Sequence, residues 1–290
     1  GWLAAVAVAM GLLGAVALPA RAPSAGGDTA GPRIPVRSLL LLGLAALAVS
    51  AAAIPRNVAA TVGLLVLGVA LVCAFIVVGR RAVAAVLPRS AFRPGPLKWI
   101  YASLGLLMAA TMVDMYVPLF GQRLAGLAPV FAGFLGAALS VGWTVGEIAS
   151  ASVTNVRATV RLVAMAPLVM ATGLVLAAAT QKDGATTGHV AVWAVALAIA
   201  GAGIGIAWPH LSAWAMGSVV DDPAEQAVAA AAINTVQLMC GAFGAGLAGV
   251  LVNLRATPDA TAGRWMFGVF AVLAAAGLLA SSRSGRGQAR

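Results

Sequence analysis

Run length constrains this chain more than any other feature. Apolar residues gather in stretches of about 17 to 25, the length an α-helix needs to cross a hydrocarbon core of roughly 30 Å, and short polar breaks separate them. The pattern predicts about nine helices, at 2–19, 38–54, 58–79, 99–120, 127–150, 162–180, 189–216, 226–252 and 264–281. Ala, Leu, Val and Gly fill the runs, without the alternation in segments of about ten that a porin-like barrel requires. The expected fold is an all-α, polytopic membrane helical bundle.

Composition excludes the main alternative. Of 290 residues, 62% are hydrophobic and 9% charged, whereas a soluble domain carries about a quarter charged residues. A net charge of +10 would suit a nucleic-acid partner, but the basic residues sit between apolar runs and form no amphipathic stripe. They read as topology signals, and no nucleic-acid partner is expected.

Two long polar connections divide the chain. Segment 20–37 is rich in Pro, Gly and Ser, and segment 80–98 holds Pro88, Pro94 and Pro96. If the first helix runs inward, Arg21, Arg33, Arg37, Arg80, Arg81, Arg89, Arg93, Lys98, Arg157, Arg161, Arg283, Arg286 and Arg290 lie on the cytoplasmic side. Arg56, Arg123, Lys182, Arg255 and Arg264 then lie outside, a bias of 13 to 5. Both connections and the tail 282–290 are thus expected in the cytoplasm of a cell with a plasma membrane of the bacterial inner type. Asp221, Asp222 and Glu225 put negative charge on the same side, but acidic residues weigh little in this rule. The chain opens Gly1-Trp2-Leu3-Ala4, with no initiator Met, basic n-region or cleavage pattern. It is expected to begin within a longer protein, and its first run is not read as a signal peptide.

Trp99, Trp193 and Trp265 each open a predicted helix and are expected in an interfacial aromatic belt. Cys73 and Cys240 lie within apolar runs without metal-type spacing and read as packing residues. No metal and no cofactor is expected.

Ionisable groups inside a bilayer cost several kcal/mol unless they face protein or water, so they are functional candidates. Asp114 lies beyond the midplane of its predicted helix, and Pro118 at i+4 cannot donate to its carbonyl. It reads either as a proton- or cation-coupling site or as a carboxylate paired with Arg123 or drawn to the boundary. Glu147 lies near the inner end of the next helix, too far from Asp114 to form a dyad. It reads either as a gate, paired with Arg157 or Arg161, or as a solvated interfacial group. Asn234, Gln237, Gly241, Gly244 and Ala248 share one helix face, while Gly241, Ala245 and Gly249 form a small-residue stripe. That face reads as a cavity lining or as close packing. Gly136, Ser140, Thr144 and Glu147 form a similar face. Gly201, Gly203, Gly205 and Pro209, with Pro118, suggest hinge points, and a dinucleotide loop is excluded because no strand precedes the glycines. His210, near Trp208 and Trp214, reads as interfacial or as a proton relay, with Trp208 and His210 as lining candidates. The predicted helices 162–180 and 264–281 contain no ionisable or amide side chain within their apolar spans. Polar groups therefore concentrate in four of the last six helices, the pattern of a three-plus-three repeat with two lipid-facing members.

On these residues the chain resembles the major facilitator superfamily, in particular its fourteen-helix drug:proton antiporters. The stretch Gly201-Ala-Gly-Ile-Gly-Ile-Ala-Trp-Pro209 is similar to the family's glycine-rich antepenultimate helix. Ala232-Ile-Asn-Thr-Val-Gln-Leu-Met-Cys-Gly-Ala-Phe-Gly244 is similar to the helix that follows it. Gly146 to Arg161 resembles the second copy of the family's cytoplasmic loop motif, with Arg157 and Arg161 in its basic positions and its acidic residue missing after Ser150. The resemblance implies that 1–19 is the last helix of an N-terminal half, 38–79 two extra central helices, 80–98 a basic linker and 99–281 a six-helix C-terminal domain. The first five helices would precede Gly1. It also implies proton-coupled export of a small amphipathic compound by alternating access, with protons, a small-molecule substrate, the lipid bilayer and the missing N-terminal half as partners. A non-transporting or relic membrane protein is the competing expectation. A polytopic lipid-processing enzyme is disfavoured by 2 His and 8 acidic residues with no clustered set.

Overall fold

A computed structural model of the chain describes residues 36–55, 57–81, 91, 95–218, 223–253 and 259–285. The first predicted helix, nearly all of the 20–37 segment and most of the 80–98 connection lie outside them, as do the acidic residues at 221 and 222.

Among the described residues every regular element is helical: α1 (Val36–Ala51), α2 (Val58–Arg81), α3 (Leu97–Thr111), α4 (Val117–Ala125), α5 (Pro129–Ala151), α6 (Val156–Thr180), α7 (Thr187–Gly217), α8 (Pro223–Asn253) and α9 (Asp259–Ser284). A 3₁₀ turn, Met112–Tyr116, joins α3 to α4, and the two form one span. Seven helices in this region are long and apolar enough to cross a membrane, with α3 and α4 counted together; α1 is apolar but shorter, at 16 residues.

Two helix starts differ from the apolar-run reading. α6 begins at Val156, six residues before its apolar run, because Asn155 caps it by accepting from the Ala158 N–H at 3.1 Å. α9 begins at Asp259, five residues before its apolar run. Hydropathy locates the stretch that fits lipid, and capping locates where the helix starts.

The core sits where α3, α6, α7 and α9 meet, around Leu104, Met170, Ile204, Met266 and Phe270. α7 packs along α5 on one side and α6 on the other, α9 joins α6 to α3, and α8 lies on α3. α1 packs on α2 and on α8.

One end of the bundle is tied by polar contacts between three elements. Arg264 of α9 donates from Nε and Nη2 to the carbonyl of Gln181 at 3.1 and 2.9 Å. The Ala185 N–H bonds to the Leu124 carbonyl, Asp183 accepts from the Ala260 N–H at 3.3 Å, and Arg123 pairs with Asp259 at 3.1 Å. Trp193 belongs to this end and corrects the belt expectation: it is 2% exposed and donates to the Thr180 carbonyl at 3.3 Å. Trp265 is exposed and Trp99 half-buried.

Candidate functional site

Asp114 stands half-buried on the 3₁₀ turn. The turn follows from Pro118: in a continuous α-helix the N–H of residue 118 would serve the Asp114 carbonyl, and proline has none. Tightening to i+3 lets the Val117 N–H bond to that carbonyl instead. Arg123, the cation that the sequence offered Asp114, is bonded to Asp259.

Two of the polar faces read from the sequence reach this turn. A β-carbon on Gly136 of α5 would lie 3.2 Å from Pro118 Cγ and 3.8 Å from the Asp114 carbonyl oxygen. One on Gly241 of α8 would lie 3.6 Å from Met112 Sδ and 3.8 Å from Met108 Cε. Further along the same α5 face, Ser140 and Thr144 are both exposed, and the Thr144 hydroxyl donates to the Ser140 carbonyl at 3.0 Å. On α8, Asn234 is exposed and Gln237 half-buried. Further along α8, Gly244 closes on the Ala109 backbone of α3, and Gly246 on Ser50 and Val49 of α1.

A second cluster forms between α5 and α7. Trp143 Nε1 donates to Glu147 Oε2 at 3.1 Å, and the Trp143 ring lies 5.6 Å from that of Trp208 at an interplanar angle of 56°. His210 Nε2 lies 3.2 Å from the Ser150 carbonyl oxygen, and the Ser150 hydroxyl donates to the Glu147 carbonyl at 3.2 Å. Three residues singled out from the sequence, Glu147, Trp208 and His210, therefore belong to one cluster, which also uses Trp143 and Ser150. The i, i+4 spacing of Trp143 and Glu147 is the signal that would have found the former. Arg157 and Arg161 stand exposed in the first turns of α6, on the helix and not in a loop. Glu147 is bonded to Trp143 here and not to either arginine.

The glycines suggested as hinges are contact points. Positions Gly201 and Gly205 of α7 press on the Leu139 and Trp143 carbonyls of α5, while Gly142 and Gly146 of α5 press on Ala198 and Ala202 of α7. Gly203 faces Ala166 and Met170 of α6, and Gly173 of α6 faces Ala196 and Ala200. Through these contacts and past Pro209, α7 runs as one 31-residue helix.

A cavity of about 520 Å³ lies elsewhere, between α1, α2, α3 and α8. None of the six lining candidates, Ser140, Thr144, Asn234, Gln237, Trp208 and His210, borders it. Cys73 and Cys240 do, both as free thiols, with Cys73 exposed. Among the described residues no group of three or more His, Cys, Asp or Glu is placed to hold a metal ion.

No family model matches the chain. It is 57% identical over 275 residues, 94% of its length, to two proteins of Mycobacterium tuberculosis, from strains CDC 1551 and H37Rv, each named "Probable multidrug-efflux transporter". The chain spans 58% of the length of each of these relatives. With the seven long apolar helices among the described residues, this similarity makes the chain a multi-pass membrane protein.

Proposed function

We propose that the chain is the C-terminal portion of a secondary active efflux transporter of the major facilitator type, which exports small amphipathic compounds in exchange for protons by alternating access. One observation carries the reading: polar side chains stand on uncovered faces of an otherwise apolar bundle. Ser140 and Thr144 of α5 and Asn234 of α8 are exposed, and Asp114 and Glu147 are half-exposed. Such groups are stable within a membrane when they face protein or an aqueous path. A second wall across a wet cleft supplies that environment, and the relatives' additional length is sufficient to build it.

In this reading Asp114 carries the coupling proton at the turn where the α5 and α8 faces meet. The cluster Trp143, Glu147, Trp208 and His210 lines the cleft near its cytoplasmic end, where Glu147 exchanges its indole partner for Arg157 or Arg161 as the gate closes. Residues 38–79 are the extra central pair, 99–281 the C-terminal domain, and the tail is cytoplasmic. The test is Asp114→Asn in the full-length transporter, assayed in inverted vesicles with a fluorescent lipophilic dye and an imposed pH gradient. Membrane insertion is expected to be normal and pH-driven dye movement lost. Undiminished pH-driven movement removes Asp114 from the mechanism.

A further inference from the structure

The cavity between α1, α2, α3 and α8 has the volume of a site for a small organic molecule, about 520 Å³, and the character of none that binds a polar one. Leu42, Val49, Val72, Phe75, Met239 and Phe243 supply much of its wall. The two hydroxyls that border it among the described residues donate to backbone, Thr235 to the Ala231 carbonyl at 3.0 Å and Tyr101 to the Ala229 carbonyl at 3.2 Å. A space so lined does not hold water. Its border runs from Gly68 to Ile76 on α2 and from Thr235 to Phe243 on α8. At about 1.5 Å per residue it therefore follows the helix axes for about 12 Å, a slot along the membrane normal.

Charge distinguishes the occupant. Among the described residues, the one ionisable side chain with full charge on the border is Lys98, at the start of α3. Its Nζ lies 5.4 Å from the Trp99 ring centroid, and the guanidinium of Arg283, at the end of α9, lies 4.5 Å from the same centroid. Two cations gathered on an indole at helix ends match the headgroup level of a bilayer, where basic side chains attract acidic lipid. They also disfavour a cationic amphiphile.

We propose that this slot holds an acyl chain of an acidic membrane phospholipid whose phosphate headgroup is met by Lys98 and Arg283. The lipid fills the gap between the α1 and α2 pair and the remaining bundle, and it lies apart from the residues assigned to transport.

The test uses the full chain reconstituted in phosphatidylcholine vesicles containing a trace of either phosphatidylglycerol or phosphatidylcholine with a photoreactive acyl chain, followed by peptide mapping. The phosphatidylglycerol probe is expected to label segments 72–76 and 239–243 about fivefold more than the phosphatidylcholine probe, the factor one basic side chain confers near an anionic headgroup. Lys98→Glu is expected to abolish that preference. Ala102→Phe, which narrows the slot without touching the cations, is expected to lower labelling of both segments while the outward-facing Val145 and Ile148 stay equally labelled. Equal labelling by the two probes, label confined to Val145 and Ile148, or a preference that survives Lys98→Glu overturns the proposal. Displacement of the lipid label by tetraphenylphosphonium overturns it too, in favour of a solute site.

Discussion

Gly201 of α7 lies so close to the backbone carbonyl of Leu139 of α5 that a β-carbon on the glycine would overlap it. Gly205 repeats the relationship with Trp143 one turn later. Hydrophobic exclusion from water does not drive helices together inside lipid, so close approach of this kind holds α5 to α7 through dispersion and backbone contact.

Substitution at that contact is therefore expected to separate the pair. Gly201→Val forces backbone apart and should destabilise the bundle by at least the ~1–3 kcal/mol of an overpacked core. Gly217, with open space around it, is the control: Gly217→Ala should be neutral. Thermal unfolding in detergent separates the two, and equal melting temperatures would show that the contact does not hold the helices.

The tilted rings of Trp143 and Trp208 predict a coupled-chromophore signal. Trp143→Phe and Trp208→Phe should each abolish the same near-ultraviolet circular dichroism couplet, whereas Glu147→Gln should leave it. Trp143→Phe also removes the donor to Glu147 and should cost about 1 kcal/mol. Two different spectral losses, or none, would refute the ring pair.

Pro118→Ala restores an N–H that can reach the Asp114 carbonyl, and the 3₁₀ turn is expected to relax to α-helix. Met115 is 63% exposed beside it. A Met115→Cys reporter should therefore react with a maleimide several times more slowly when Pro118→Ala is present, since regular winding returns position 115 to the interior. An unchanged rate would assign the turn to tertiary packing alone.

At the tied end of the bundle, two arginines should differ in weight. Asp259→Asn breaks an exposed ion pair with Arg123 and should change stability by less than about 1 kcal/mol. Arg264→Leu removes two charged donors from the carbonyl of buried Gln181 and should cost about 1.5 kcal/mol or more. Chemical unfolding measures both, and the reverse order would place the restraint in the ion pair.

The membrane-spanning stretches were legible because run length and bilayer thickness answer to the same physics. Helix starts were less so, as Asn155 shows: a cap is a local hydrogen bond, invisible to hydropathy. Trp193 was misread because an indole at a helix start suits both a headgroup layer and a buried carbonyl, and only the fold supplies Thr180. The glycines of α7 pose the same ambiguity. A missing side chain permits a bend or a neighbour, and α5 and α6 provide neighbours on two sides. Trp208 and His210 were grouped from the sequence and Glu147 apart from them, but the meeting of Glu147 with the other two rests on the pairing of α5 with α7, which no spacing within either helix encodes. The 520 Å³ cavity was not foreseen, since its wall combines four helices that look merely lipophilic one by one.

The tight winding at Met112–Tyr116 has an angular consequence. Five residues advancing about 120° each, where an α-helix advances about 100°, shift the phase of everything downstream by roughly 100°, one residue's worth. The buried row Ile100, Leu104, Leu107 and Thr111 would otherwise run on through positions 115 and 118. It resumes instead at Val117, Phe120 and Leu124. Asp114 and Met115 are thus rotated off the adhesive row, so the sole carboxylate on this span escapes the interior without interrupting the spine that anchors it.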